Sequence, residues 1–278
     1  MTIEYITPHR AIGAHQYAVI DRLLVPELPD SWPVIELVLP MLVPQAHLYP
    51  WLVPLRELPS QEWDSLMTTL SRHSGSRSPE KCSLLLSSVC SPQQVRSALL
   101  NTLYFKDTQQ NGHILRFYDP RVLFYLHWKL SSRQLCNLLS IKEIPSWTFW
   151  LDGSWHTLEF SEHAAGRPSE EAGMNLHQLA HCGLINQALQ QLPACADINQ
   201  RQQTSRRLEM LLVQAMQCEL PTENDRIAFA VHGLVQRERF WAAPKMSAFL
   251  QQASHCPNLY RDETSGWDEN RWRTMTSS

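Results

Sequence analysis

Two histidines spaced for metal binding, His177 and His181, are the first residues in this chain that could do chemistry. At i and i+4 on a helix they would share a face, as the zinc-binding pair of a metallopeptidase does. The residue after the first histidine is Gln178, where such an enzyme needs a glutamate to take a proton from water. No third ligand is evident, so the pair reads as the rim of a packed helix, and neither metal nor cofactor is expected. The second candidate is Asp119, flanked by Arg116 and Arg121. An acid between two guanidinium groups could serve as an acid/base group with anion clamps. It is explained more simply as a helix N-cap neutralised by its neighbours, because Pro120 follows at the first helical position. Asp21, at the end of the first strand-like run, reads as a loop or cap residue.

Cysteine chemistry finds little support. The seven cysteines are scattered, with no C-x-x-C pair and an odd total, which disfavours a disulfide framework or a structural zinc site. None sits at a recognisable nucleophile turn, so they read as structural thiols of a reducing compartment. There is no G-x-S-x-G and no phosphate-cradling loop, and only nine glycines are available to build one.

The elements that must position these residues can be read from pattern. The 278 residues are 44% hydrophobic and 18% charged with a formal charge of -3, which suits a globular protein and not a nucleic-acid binder. The expected class is α+β: a mixed α/β N-terminal lobe over 1–160, a linker over 161–173, an all-helical lobe over 174–257 and a polar tail over 258–278. Strands are expected at His15–Asp21, Val34–Leu39, Tyr49–Leu55, Cys82–Leu86 and His113–Tyr118. Prolines 50 and 54 make the third an edge strand. Trp147–Trp150 and Trp155–Phe160 should form a hairpin about Asp152-Gly153. Helices are expected at Glu62–Leu70, from Pro92, and at Pro120–Lys129 and Ser132–Leu139. Ser71–Glu80 is a polar loop. In the second lobe, Leu176, Leu179, Ala180 and Leu184, then Leu208 to Met216, then Ile227 to Val235, repeat with helical spacing. Met246–Gln252 is a further helix, and the tail is either disordered or docked by Trp267 and Trp272. The N-terminus shows no export signal, and the apolar run Pro33–Pro44 is too short to span a bilayer. A cytoplasmic protein without stable membrane insertion is expected.

Several runs resemble the adaptor chaperones of bacterial type VI secretion effectors. They are Tyr17-Ala18-Val19-Ile20-Asp21, Pro50-Trp51-Leu52-Val53-Pro54-Leu55, the strand end Leu85–Ser88, and above all Leu115-Arg116-Phe117-Tyr118-Asp119-Pro120-Arg121-Val122-Leu123. A closing tryptophan hairpin follows them. The resemblance covers about residues 15–160, and Leu220–Asp225 fits the character of the variable helical part. Lys81-Cys82-Ser83 departs from the Trp-Gly that members often carry before the "L-L-S-S" strand. The resemblance implies a cytoplasmic adaptor without catalysis. Its expected partners are one cognate toxin, bound through an N-terminal or membrane-inserting part, and the VgrG/PAAR spike onto which that toxin is loaded. Arg116, Phe117, Tyr118, Asp119, Pro120 and Arg121 would hold the scaffold or meet the spike. The toxin groove is assigned to the helical lobe and its junction with the first, through Leu176, Leu179, Leu208, Leu212, Met216, Phe229 and Trp241. The alternatives are a metal-dependent hydrolase using His177 and His181, and an immunity protein that neutralises a toxin.

Overall fold

The structure, a computed structural model, describes residues 4–5, 11–71, 82, 84–106, 111–160, 179, 181–236 and 238–277. The chain divides into two compact units, Met1–Leu179 and Ala180–Ser278. The expected linker 161–173, the loop 72–80, Leu176 and His177 lie outside the described residues. The α+β class holds: the first unit carries a sheet and the second is helical.

The first unit is built on a seven-stranded sheet, every pair antiparallel, in the order β1-β9-β8-β5-β2-β4-β3. Its strands are β1 (Glu4–Tyr5), β2 (Tyr17–Ile20), β3 (Ile35–Glu36), β4 (Trp51–Pro54), β5 (Leu84–Ser87), β8 (Ser146–Leu151) and β9 (Ser154–Glu159). A separate two-stranded ribbon joins β6 (Tyr104–Lys106) to β7 (Gly112–Ile114). β2, β4, β5 and β8 are buried along their whole length. That explains their continuous apolar runs: a strand covered on both faces has no reason to alternate. On one face Ala18, Ile20, Trp51, Val53 and Leu85 pack with Leu66 and Leu70 of α1 (Ser60–Ser71). β8 contacts α3 (Pro120–Lys129), and Phe117, just before that helix, meets Trp147 edge-on at 5.7 Å. α2 (Pro92–Leu103) starts with a Ser91/Gln94 capping box, and Thr102 of α2 donates to the carbonyl of Leu138, the last residue of α4 (Ser132–Leu138). Asp152 and Gly153, both at positive φ, close the β8–β9 hairpin as the Asp-Gly pair predicts.

Two strand expectations need correction. β4 is not an edge strand, because it pairs with β2 on one side and β3 on the other. Its prolines cost nothing there: Pro50 precedes the strand and Pro54 is its last residue. The strand expected through Tyr118 stops at Ile114. Phe117 and Tyr118 are both buried, which consecutive residues of a one-sided strand cannot be. The chain turns instead, with the Asp119 amide donating to the Arg116 carbonyl at 2.9 Å.

The second unit holds α5 (Cys182–Gln190), α6 (Ile198–Gln217), α7 (Glu223–Val235), α8 (Pro244–Ala253), α9 (Leu259–Thr264) and α10 (Glu269–Thr276). The region expected as a polar tail thus carries two helices. Trp272 is buried and meets His232 and Trp267 at ring distances of 4.6 and 4.9 Å, and Tyr260 is wholly buried. Thr222 caps α7, its hydroxyl oxygen accepting the Asp225 amide, and the Asp225 carboxylate ties this end of α7 to the start of α9: it accepts the Thr222 hydroxyl at 2.7 Å and the amides of Asn258 and Arg261 at 2.8 and 2.9 Å. A buried carboxylate with three donors is a satisfied one.

Candidate functional site

The signature residues meet at one end of the first unit's sheet. β2 runs out at Ile20, opposite Trp51 where β4 begins, and the next residue is Asp21. The Asp21 side chain is buried, and both its oxygens are taken. One accepts the Leu23 amide at 3.0 Å; the other accepts Arg116 Nη2 at 2.9 Å. The Asp21 carbonyl accepts the amides of Leu24 and Val25, each at 3.0 Å. One aspartate therefore shapes a tight turn and anchors it to a guanidinium 95 residues away in sequence.

Arg116 also lies 5.4 Å from the Tyr118 ring, and burial raises the Tyr118 phenol above its ordinary pKa. Phe117 is wholly buried. Asp119 caps α3: its Oδ1 accepts the Arg121 amide at 3.0 Å and Arg121 Nε at 2.9 Å, and its Oδ2 accepts Arg121 Nη2 at 2.6 Å. Pro120 takes the first helical position as expected. The expectation that both arginines serve Asp119 is corrected, since Arg121 alone pairs with it and Arg116 reaches to Asp21. Local reading missed that partner because sequence distance hides it. The available signal was a lone acid at the end of a wholly apolar strand, which needs a cation or donors once buried.

Arg22, next in the turn, extends the same construction. Its guanidinium lies 4.7 Å from the Trp51 ring, pairs with Glu36 at 3.0 Å and donates to the Ala46 carbonyl at 3.3 Å. Arg96 of α2 donates to the carbonyls of Glu36 and Val38. The segments after β2 and between β3 and β4 are thereby fixed, yet both carry large apolar side chains into solvent. Leu23 is 51% exposed, Leu24 71%, Met41 67%, Val43 56% and Leu48 40%.

The groove expected in the helical unit is not what those residues build. Leu208, Leu212 and Phe229 are fully buried in its core. A helical apolar stripe faces the interior, so its members cannot also line an open surface. Leu179 and Trp241 are partly buried, Trp241 against Phe229 and Phe240, and Met216 alone of the named residues that are described is well exposed. Met216 shares the solvent side of α6 with Met210 and Val213. His181 precedes α5 at its N-cap position, with Nδ1 3.9 Å from Glu209 Oε1. Among the described residues no three His, Cys, Asp or Glu side chains are grouped to hold a metal, and no helix is long and apolar enough to cross a membrane.

A family model described as a domain of unknown function, DUF4123, matches residues 42–137. The match begins in the exposed segment before β4 and takes in the whole Arg116–Arg121 run, ending in α4. No curated protein and no solved structure matches the chain.

Proposed function

We propose that this protein is a cytoplasmic adaptor that binds one type VI secretion toxin and helps load it onto the VgrG/PAAR spike, holding a polypeptide rather than turning over a substrate. The observation that carries this reading is the DUF4123 match over 42–137, because that family is associated with adaptors of type VI effectors. The fold gives it physical support. The charged side chains of the signature, Asp21, Arg116, Asp119 and Arg121, are engaged with one another in two ion pairs that shape the scaffold. Large apolar side chains, by contrast, are held out in water. A toxin with apolar segments would aggregate or insert wrongly in the cell that makes it, and a partner surface of matching character covers it until hand-over.

The test is made in the bacterium that encodes the chain. Tagged full-length protein should co-purify with a toxin delivered by the type VI machinery. Deleting the gene should stop that toxin's delivery while the spike still assembles. Delivery that continues after deletion, or deletion that poisons the cell with delivery intact, overturns the proposal.

A further inference from the structure

We infer that the end of the sheet beyond Ile20 and Trp51 is a docking surface for an uncharged, apolar stretch of the secreted toxin, presented by Leu23, Leu24, Met41, Val43 and Leu48. This rests on the adaptor reading and names the surface it requires.

The argument starts from register. Ile20 and Glu36 both stand opposite Trp51, so β2 and β3 finish at the same end of the sheet and β4 starts there. Leu23 and Leu24 follow β2 directly, and Met41, Val43 and Leu48 lie in the connection from β3 to β4. Arg22 ties the two segments together through Glu36 and the Ala46 carbonyl. The five exposed residues therefore belong to one region.

That region is built to stay exposed. A mobile loop could fold its leucines inward, but this turn is fixed by Asp21 from inside and by Arg116 from across the fold. Prolines 26, 29, 33, 40, 44 and 50 stiffen the two connections. Preorganised apolar surface binds without a large ordering cost.

Size and charge select the occupant. At these exposures the five side chains offer about 500 Å² of surface, the upper range of the largest patch on an ordinary monomer. Two copies meeting through it would bury about 1,000 Å² in total, the floor for a specific interface. A segment of a larger partner, lying over the patch and continuing beyond it, gains more. The arginines around it form no free cationic cluster: Arg22 faces Glu36, Arg116 faces Asp21, and Arg96 is engaged by the carbonyls of Glu36 and Val38. Anionic lipid and nucleic acid need unneutralised cations. An uncharged polypeptide stretch rich in Leu, Ile, Val or Phe fits.

A photo-crosslinking amino acid is placed at Leu24 or at Met41 of the full chain in its own bacterium, alongside the pull-down above. The expected adduct joins this position to an apolar peptide of the delivered toxin. Leu24→Asp combined with Met41→Asp should weaken binding of that purified toxin at least tenfold with an unchanged melting curve. Val235→Asp, an equally exposed position on α7, should bind as the parent does. An adduct between two copies of this chain, an adduct to spike protein alone, or undiminished binding by the double variant overturns the inference. Toxin captured by the parent but never crosslinked at either position overturns the docking surface and leaves the adaptor reading standing. No toxin captured at all overturns both.

Discussion

Replacing Arg116 with alanine should destabilise the first unit by about 2 kcal/mol. Removing one partner of a fully buried ion pair typically costs about 3–5 kcal/mol, because the other charge is stranded. Here the Asp21 side chain is 7% exposed and that of Arg116 is 47% exposed. Water reaches one end of the pair, so the cost falls toward the value for a hydrogen bond to a charged group, about 1.5–3 kcal/mol. For a unit of this size about 2 kcal/mol lowers Tm by about 4–8 °C, read by tryptophan fluorescence in the full chain. Asp21→Asn is milder, since its amide oxygen still accepts the Leu23 amide and holds the turn. In a double-mutant cycle the two changes should couple by about 1–2 kcal/mol. If Arg116→Ala melts within about 1 °C of the parent, or the two effects simply add, the Asp21–Arg116 pair does not hold this part of the fold.

Asp119→Ala should cost about 1–2 kcal/mol in thermal or urea unfolding, because it removes the cap of α3 along with the Arg121 pair. Asp119→Asn keeps a good cap and should lose under about 1 kcal/mol, the worth of a half-exposed pair. Burial holds the His232 imidazole down to about 4, against an ordinary 6.5. As pH falls below 6.5 the unfolded chain takes up a proton that the folded one refuses, so stability present at neutral pH is lost down to about 4 and then levels off. Urea unfolding at pH 7 and pH 4.5 should show a loss from this group of about 2 kcal/mol, which His232→Phe removes. Burial pushes the Cys82 thiol up to about 12, while Cys256 is exposed. A disulfide reagent at about pH 8 should label Cys256 in the native protein and reach Cys82 only after denaturation.

Features with a complete local cause were legible in the sequence. Asp119-Pro120 marked the first turn of α3, Ser91-Pro92 the start of α2 and Asp152-Gly153 the β8–β9 hairpin, and each is found where it was expected. Features set by distant residues were not. Nothing near Asp21 announces Arg116, and nothing near Pro54 announces that β3 will pair beyond it. The helical region failed differently. Periodicity identified the apolar stripe of α6 correctly, and Leu208 and Leu212 are fully buried, but a stripe that fits the helical period is a statement about the core. Apolar residues left in water break the pattern, as Met210, Val213 and Met216 do on the solvent side of α6. In the polar tail, the isolated Trp272 was the informative residue, since one ring of that size can dock a helix that is otherwise hydrophilic.

The same contrast separates the buried frame of the first unit from its exposed apolar rim. A buried carboxylate accepts few substitutes, because its charge, its turn-forming oxygen and its guanidinium partner must all be present together. The tie between Tyr17–Asp21 and Arg116–Arg121 is therefore readable as a motif. The apolar positions it supports carry no such demand. Any large aliphatic side chain at Leu24 or Met41 leaves the turn intact, so their identity is open to change. The proposed adaptor role calls for this arrangement, a rigid frame with strict residue types and a rim whose side chains can differ. Hence the consequence that separates frame from rim: Leu24→Met with Met41→Leu should leave stability unchanged and alter toxin affinity by less than the aspartate pair does. Arg116→Lys, which keeps the charge but loses the planar fork, should already lower Tm.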